Sequence, residues 1–278
     1  MSECCSGVLF VGLARRLHTD TKCGCGAKPA DFSATQLFFD HVMSCKTGTQ
    51  GTKLDRHNLL LPILGQFCQK VGYEWDTRPE MLSFPQVIDV LGAPCQPGRL
   101  RLDALAHYKP DSRDSFGVDV TVWHSGASTA ECEPAATGPN AKVYITNRAE
   151  YTKRAKYKPF CDARGIKLLP AAFNTYGGWG TTVLQDLVEP YFNRLRAEEW
   201  EATGQEWKAL HERELLFQSV SLAIARGNSL ILDSLTHDWK NCTADARAAV
   251  RGEVDSRWAE SVSDAAPVLL RDMLGGMC

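Results

Sequence analysis

Two apolar segments, separated by a short polar stretch, each carry an aspartate where the pattern otherwise predicts a buried β-strand. Residues 100–108 and 117–123 alternate apolar with other side chains, and a period of two is typical of strands. The intervening residues 109–116 (KPDSRDSF) are rich in Pro, Asp and Ser, which favours a turn. Because a carboxylate is costly to remove from water, Asp103 and Asp119 constrain both the fold and the chemistry of the chain.

These two aspartates are expected on the less apolar faces of neighbouring strands. Carboxylates held close together repel each other unless a cation or a proton lies between them. Mg²⁺ satisfies that arrangement, because it is usually held by one or two carboxylates together with water and substrate phosphates. The alternative is that Asp103 and Asp119 both point into solvent. Asp111 and Asp114 lie in the predicted turn, where aspartate is an expected residue, and we assign them no chemistry.

Beyond these two strands, the hydrophobic pattern predicts a mixed α/β core. Helices are predicted over about 55–71, 147–164, 181–198 and 208–227, and a further strand over 166–173. Pro62 lies inside the first helix and predicts a kink or a later start. Thr146 or Asn147 is the expected cap of the second helix, and Gly165 stands where the chain would leave it. Residues 174–182 (NTYGGWGTT) are predicted to form a loop in which a tight turn packs Trp179.

The second predicted helix presents a basic face. Lys153, Lys156 and Tyr157 stand at positions i, i+3 and i+4, so they share one side of the helix. A lysine beside a metal-bound water can hold the attacking water or stabilise a pentacovalent phosphate. For any one lysine, a solvated helix face is the commoner explanation. The combination of these lysines with the two aspartates favours a catalytic role.

A cysteine–histidine pattern occupies the N-terminal region. Cys23, Cys25, His41 and Cys45 follow the spacing C-x-C-x15-H-x3-C. Three thiolates and one imidazole suit tetrahedral Zn²⁺, and closed sites of this kind are structural. A bound metal would also explain how a segment with little apolar content becomes ordered. The alternative is a set of unrelated cysteines in a loop-rich region, because C-x-C is tighter than the usual zinc-ligand spacing.

Composition narrows the classes of partner. The net charge of −2 means that contact with nucleic acid would depend on local basic patches. The chain has eleven cysteines in no repeating framework, and no basic region precedes the first apolar patch, so we expect intracellular thiols and no secretion signal. We find no apolar run near the roughly 18 residues that a membrane span needs, so no membrane partner is expected.

Seven blocks, taken in order, resemble the restriction-like endonuclease region at the carboxyl end of non-long-terminal-repeat retrotransposon reverse transcriptases, and the shorter orphan proteins derived from them. They cover roughly residues 8–232 and read CGCG…FFDHVMSCKTG, RHNLL, RLDALAHY, GVDVTVW, KRAKYKPFCDARGIKLLP, NTYGGWG and SLAIARGNSL. The resemblance implies a PD-(D/E)xK core of the α/β class, a restriction-endonuclease-like mixed sheet flanked by helices, after a small N-terminal zinc-binding element. We therefore expect a CCHC element at 1–52, the endonuclease-like domain at 53–235 and a charged helical extension at 236–278.

The resemblance also implies roles for individual residues. Asp103 and Asp119 would be the two acids that hold catalytic Mg²⁺ or Mn²⁺. Thr121 stands where the family has a lysine two residues after the second acid, so that role would pass to Lys153 or Lys156, with Tyr157 beside them. The zinc ligands would be Cys23, Cys25, His41 and Cys45. The residues implied in DNA binding are Arg56, His57, Asn58, Arg154, Lys158 and Arg226.

Four features depart from the family pattern or leave a role open. Leu102 replaces the proline before the first acid, and the arm between the second and third zinc ligands is longer than usual. A further acid, which the family's first helix often supplies, would be Glu74 or Glu80. Arg226 lies next to Gly227, which would equally explain this block as the end of a helix.

The resemblance thus implies a Mg²⁺- or Mn²⁺-dependent endodeoxyribonuclease of retroelement origin that hydrolyses phosphodiester bonds in DNA, with nicking expected and a double-strand cut left open. Its expected partner is DNA, on which it would act either alone or with a reverse transcriptase in trans, and its expected location is the nucleus. The alternative is a catalytically inactive nucleic-acid-binding module of the same fold, and a third possibility is a decayed fragment. The sequence leaves the target site and the oligomeric state open.

Overall fold

The computed structural model describes residues 22–23, 25–31, 35–45, 50–77, 101–108, 115–124 and 141–236. Their contacts divide them into two compact units. The first unit holds the described residues up to Lys53 together with those from Arg226 onward, and the second unit holds those from Leu54 to Ala225. The extension expected at 236–278 lies outside the described residues, apart from its first residue, Thr236.

A four-stranded mixed sheet forms the centre of the second unit. Its strands are β1 (Tyr73–Asp76), β2 (Ala104–Tyr108), β3 (Ser115–Trp123) and β4 (Lys167–Asn174), in the order β1-β2-β3-β4. The first three strands are antiparallel neighbours, whereas β4 runs parallel to β3. The expectation of a mixed α/β core is therefore confirmed.

Helices account for most of the remaining described residues. They are α1 (Thr35–Ser44), α2 (Gln50–Val71), α3 (Ala141–Ala163), α4 (Thr181–Val183), α5 (Glu189–Thr203) and α6 (Trp207–Thr236). A short 3-10 helix covers Pro29–Asp31, and a π-helical turn, Leu184–Val188, joins α4 to α5.

Three helix ends differ from the predictions. α2 begins before Pro62 and continues through it, so the later start is wrong; Pro62 is exposed, and water can satisfy the carbonyl that loses its partner. α3 begins at residue 141, where burial of Ile145 extends it, so Thr146 and Asn147 lie inside the helix and do not cap it. α6 runs past Gly227, which therefore does not end a helix. The prediction for Gly165 is confirmed, since it follows α3 with φ +66°.

The two faces of the sheet are buried by different helices. Val118 and Val120 belong to a large core shared with α2, α5 and the part of α6 that lies in the second unit. Because successive side chains of a strand alternate, Asp119 points to the opposite face. On that face α3 packs through a smaller core formed by Leu102, Leu105, Tyr157, Cys161 and Leu168.

α6 combines length with apolar composition. Among the described helices, it alone is long and apolar enough between Trp207 and Leu232 to cross a membrane, and half of that segment is buried inside the protein. The expectation that no apolar run approaches this length is therefore wrong. Val220 and Ile224 belong to the large core, a pattern that core helices share.

Candidate active site and candidate metal centre

Asp103 lies immediately before β2, and hydrogen bonds hold it against β3. Its backbone N–H donates to Val118 O at 3.0 Å, and Val120 N–H donates to its carboxylate Oδ2 at 2.7 Å. From α2, His57 places Nε2 2.9 Å from the same oxygen. The carboxylate of Asp103 is thus fixed beside the segment of β3 that carries Asp119.

Asp119 is only 2% exposed, on the sheet face that α3 covers. Lys153 of α3 places Nζ 2.6 Å from Asp119 Oδ2. Burial raises the pKa of the Asp119 carboxyl, while Lys153 opposes burial; the charge of Asp103 raises the pKa further, and the nearby Tyr157 hydroxyl lowers it. For Asp119, the alternative of a side chain pointing into solvent is wrong.

The two candidate lysines occupy different positions. Lys153, about one fifth exposed, contacts Asp119. Lys156 is exposed and donates to Tyr157 Oη at 2.9 Å, while that hydroxyl donates to the backbone carbonyl of Arg101 at 3.1 Å. Burial raises the pKa of the Tyr157 hydroxyl, and Asp119 acts in the same direction. The structure therefore brings Lys153 to Asp119, whereas Lys156 is exposed and contacts the Tyr157 hydroxyl.

Sequence reasoning missed a buried acid on the same helix. Glu150 is 6% exposed and lies one turn before Lys153. One of its carboxylate oxygens accepts the Thr182 N–H at 2.8 Å and the other accepts the Thr182 hydroxyl at 2.5 Å. The sequence signal that could have identified Glu150 is its spacing from Lys153, because positions i and i+3 of a helix share a face.

The three residues of the RHN block, 56–58, lie on α2 and differ in burial and in their hydrogen-bond partners. Arg56 is 3% exposed and donates to Val122 O at 3.4 Å, and burial lowers the pKa of Arg56 to about 10. His57 has both ring nitrogens near oxygens, Nε2 near Asp103 and Nδ1 3.1 Å from Asn58 Oδ1. Burial lowers the pKa of His57, but the hydrogen bond and charge of Asp103, together with the hydrogen bond to Asn58 and the charge of Asp119, outweigh it, so the pKa is raised. The burial of Arg56 counts against its predicted contact with DNA, whereas Asn58 is exposed.

The other residues implied in DNA binding lie on two helices. Arg154 is half-buried and donates to Thr182 Oγ1 at 2.8 Å. Lys158 is exposed and pairs with Asp162 at 2.5 Å. Arg226 lies within α6, in the first unit, and is partly buried. Of these three side chains, Lys158 is the one presented to solvent.

The remaining acidic candidates lie away from the two aspartates or outside the described residues. Glu74 is exposed on β1, and in the register of the sheet it lies opposite His107 of β2. Glu80, Asp111 and Asp114 fall outside the described residues. Glu74 thus has no observed link to the candidate active site in the described part of the chain.

The cysteine–histidine cluster of the first unit could hold a metal ion. One ligand atom from each of Cys23, Cys25, His41 and Cys45 lies within 4.8 Å of all the others, and Cys25 Sγ is 3.1 Å from His41 Nε2. Zinc bonds of about 2.3 Å to sulfur and 2.0 Å to nitrogen would place tetrahedral ligands roughly 3.5–3.8 Å apart. The cluster fits an ion of that size, and no second group of three or more such side chains comes together within the described residues.

The local fold around this cluster places the ligands on a tight turn and a helix. Cys23 N–H donates to Ala27 O at 2.8 Å and Gly26 N–H donates to Cys23 O at 2.7 Å, with Gly26 at φ +94°. α1 and the residue after it supply His41 and Cys45. A small apolar core surrounds the buried ligands and contains Phe39, Val42, Met43, Ile231 and Leu232.

No protein-family model matches the chain, and no curated protein is significantly similar to it. The resemblance to the retrotransposon endonucleases therefore stays a prediction based on the sequence blocks.

Proposed function

We propose that the second unit is a divalent-metal-dependent endonuclease that hydrolyses phosphodiester bonds in DNA. The observation that carries this proposal is the convergence of three charged groups. Asp103 lies immediately before β2 and accepts the Val120 N–H of β3, next to Asp119 on that strand, while Lys153 of α3 places Nζ 2.6 Å from Asp119 Oδ2. Two carboxylates beside a lysine are the groups that metal-assisted hydrolysis of a phosphate ester requires.

The two carboxylates fit a divalent cation by their chemistry. Carboxylate oxygens are the ligands that Mg²⁺ and Mn²⁺ prefer. Asp119 is buried and Asp103 raises its pKa further, so a cation between them would offset both burial and repulsion. When bound, it would supply charge neutralisation at a phosphate oxygen and acidify a coordinated water.

The side chains around the acids have distinct proposed roles. His57 and the Val120 N–H keep the Asp103 carboxylate oriented. Lys153 is one fifth exposed, so its ammonium can donate to a phosphate oxygen and stabilise the charge that develops during hydrolysis. Lys156 and Arg101 are exposed, and both bond the Tyr157 hydroxyl, Lys156 through Nζ and Arg101 through its backbone carbonyl. We call this pair the basic rim, which would attract the phosphate backbone.

A second candidate function is a nucleic-acid-binding module that has lost catalysis. The ion pair between Lys153 and Asp119 favours it, because a lysine can replace a metal as the counter-ion of a buried acid. Such a module would keep the basic rim and would not need a divalent cation.

Nicking of supercoiled plasmid in Mg²⁺ or Mn²⁺ tests the proposal. We expect the wild type to cleave and Asp119→Asn to lose at least about a hundredfold in rate, because a metal ligand is removed. Asp162→Asn is the matched control, since this aspartate lies exposed on α3 and pairs with Lys158, and it should cleave like the wild type. A folded wild type that binds DNA but cleaves with neither metal would favour the binding module.

For the first unit we propose a structural Zn²⁺ at the cysteine–histidine cluster. Its support is the donor set, three thiolates and one imidazole, which leaves no open position for substrate. DNA as partner follows from the proposed endonuclease. A reverse transcriptase in trans and a nuclear location are proposals that rest on the sequence resemblance.

A further inference from the structure

Glu150 joins α3 to the start of α4. Both of its carboxylate oxygens accept hydrogen bonds from Thr182, and Arg154 donates to the same Thr182 hydroxyl at 2.8 Å. At the periphery, Thr181 Oγ1 donates to Asn147 Oδ1 at 2.9 Å. We call the buried contact between Glu150 and Thr182 the clamp.

The backbone beside the clamp is shaped to admit the carboxylate. A Cβ atom at Gly180 would lie 2.2 Å from Glu150 Oε1 and 3.0 Å from the carbonyl oxygen of Ala172. Gly180 N–H also donates to that carbonyl at 2.7 Å, which holds the loop against β4. A glycine at this position therefore lets α3 and the loop approach closely enough for both hydrogen bonds.

The clamp and the candidate active site lie along the same helix face. Glu150, Lys153 and Tyr157 are buried or half-buried toward the sheet, at positions i, i+3 and i+7. A side-chain tip lies roughly 6 Å from a helix axis, so a rotation of about 20° would move it by roughly 2 Å. Such a shift would separate Lys153 Nζ from Asp119, which are now 2.6 Å apart.

We propose that Glu150 is a positioning residue, which sets the rotation of α3 so that Lys153 reaches Asp119. Both oxygens of Glu150 bond Thr182, and within the described residues Glu150 does not join a group of three or more side chains that could hold a metal ion. The positioning itself is independent of any reaction, whereas its consequence for catalysis rests on the proposed endonuclease function.

Chemical labelling of lysines measures the positioning without reference to activity. Brief treatment with an acetylating reagent, followed by peptide mass spectrometry, reports the reactivity of Lys153 relative to exposed Lys158. In the wild type Lys153 should react slowly, because it is about four-fifths buried and contacts Asp119. In Glu150→Gln, which removes the anionic acceptor of the Thr182 hydroxyl, we expect Lys153 to react severalfold faster.

Two further variants keep the test decisive. Thr182→Val removes the hydroxyl but preserves the side-chain shape and the backbone N–H, so Lys153 reactivity should rise less than in Glu150→Gln. Thr181→Val removes only the exposed bond to Asn147 and should leave Lys153 unchanged. If Glu150→Gln does not fold, Thr182→Val decides. Unchanged Lys153 reactivity in a folded clamp variant overturns the proposal.

Kinetics of plasmid nicking test the catalytic consequence separately. Displacing a catalytic group by about 1 Å can cost on the order of a hundredfold in rate. We therefore expect Glu150→Gln to lower kcat about ten- to hundredfold with KM unchanged, and Thr181→Val to match the wild type. Increased labelling with unchanged kcat overturns the catalytic role. Increased labelling of a protein whose wild type does not cleave supports the positioning and rejects the endonuclease function.

Discussion

At the scale of single residues, the most informative side chain is Asp119, because its environment opposes ionisation. Burial raises the pKa of its carboxyl, and the charge of Lys153 only partly compensates. A group whose pKa is raised on folding binds more protons in the folded state than in the unfolded state between the two pKa values. The free energy of unfolding therefore falls as the pH rises through that window.

This sign gives a test with Asp119→Asn, which cannot ionise. Without added divalent cation, we expect the free energy of unfolding of the variant, minus that of the wild type, to increase from about pH 4 toward neutral pH. A tenfold change in the protonation equilibrium corresponds to about 1.4 kcal/mol. Urea denaturation across this range measures the difference, with Asp162→Asn as the control for removing an exposed charge. A difference in the free energy of unfolding that is constant or decreases with pH would contradict a raised pKa of Asp119 in the folded protein.

At the scale of the elements, hydrogen bonds and an aromatic contact hold the loop between β4 and α4. Asn174 is fully buried, and its Oδ1 accepts the N–H groups of Tyr176 and Gly178 at 2.9 and 2.8 Å. Trp179 stacks on Phe217 with ring centroids 4.7 Å apart. The prediction that this segment forms a tight turn packing Trp179 is confirmed.

Gly178→Ala tests the packing of this loop. A Cβ atom there would lie 2.3 Å from Asn174 Nδ2, so the side chain that bonds the turn must move. We expect a loss of about 2–3 kcal/mol in the free energy of unfolding. Gly204→Ala is the comparison, because Gly204 has φ +68° but open space around it, and should lose only about 1 kcal/mol. Equal losses in urea denaturation would show that steric contact at Gly178 is unimportant.

The start of α3 shows why the sequence pattern did not predict where this helix begins. Local signals favoured a cap at Thr146 or Asn147, yet both residues lie inside the helix. Ile145 and Thr146 are buried, so tertiary packing extends the helix beyond its polar stop signal. The strand β3 was easier, since Val118, Val120 and Val122 recur with the period of two that is typical of a strand.

At the scale of the whole molecule, the two units depend on different sources of stability. The second unit has an extensive apolar core. The first has a small one in which the buried thiols of Cys23 and Cys45 lie beside Ile231 and Leu232. Because a metal bound only by the folded state contributes its binding energy to folding, the first unit should depend on its metal.

Metal removal tests this dependence by hydrogen exchange. After chelation we expect amide protection to be lost in 22–45 and 226–236 while the amides of β3 and β4 stay protected. Cys25→Ser should reproduce the loss and lower the zinc content, whereas Cys68→Ala, a buried thiol outside the cluster, should keep the metal. Protection that persists in both segments after complete removal of zinc would show that the apolar core suffices.

The sequence by itself determined the mixed α/β class, the positions of β2, β3 and β4, and the cysteine and histidine side chains that cluster. It could do so because hydrophobic period and ligand spacing are local properties. The tertiary structure decided that Lys153 rather than Lys156 contacts Asp119, that Arg56 is buried and that Glu150 is bonded to Thr182. Each of these depends on how α2 and α3 are rotated against the sheet. That rotation is set by packing between residues distant in sequence, so a local sequence pattern does not predict it.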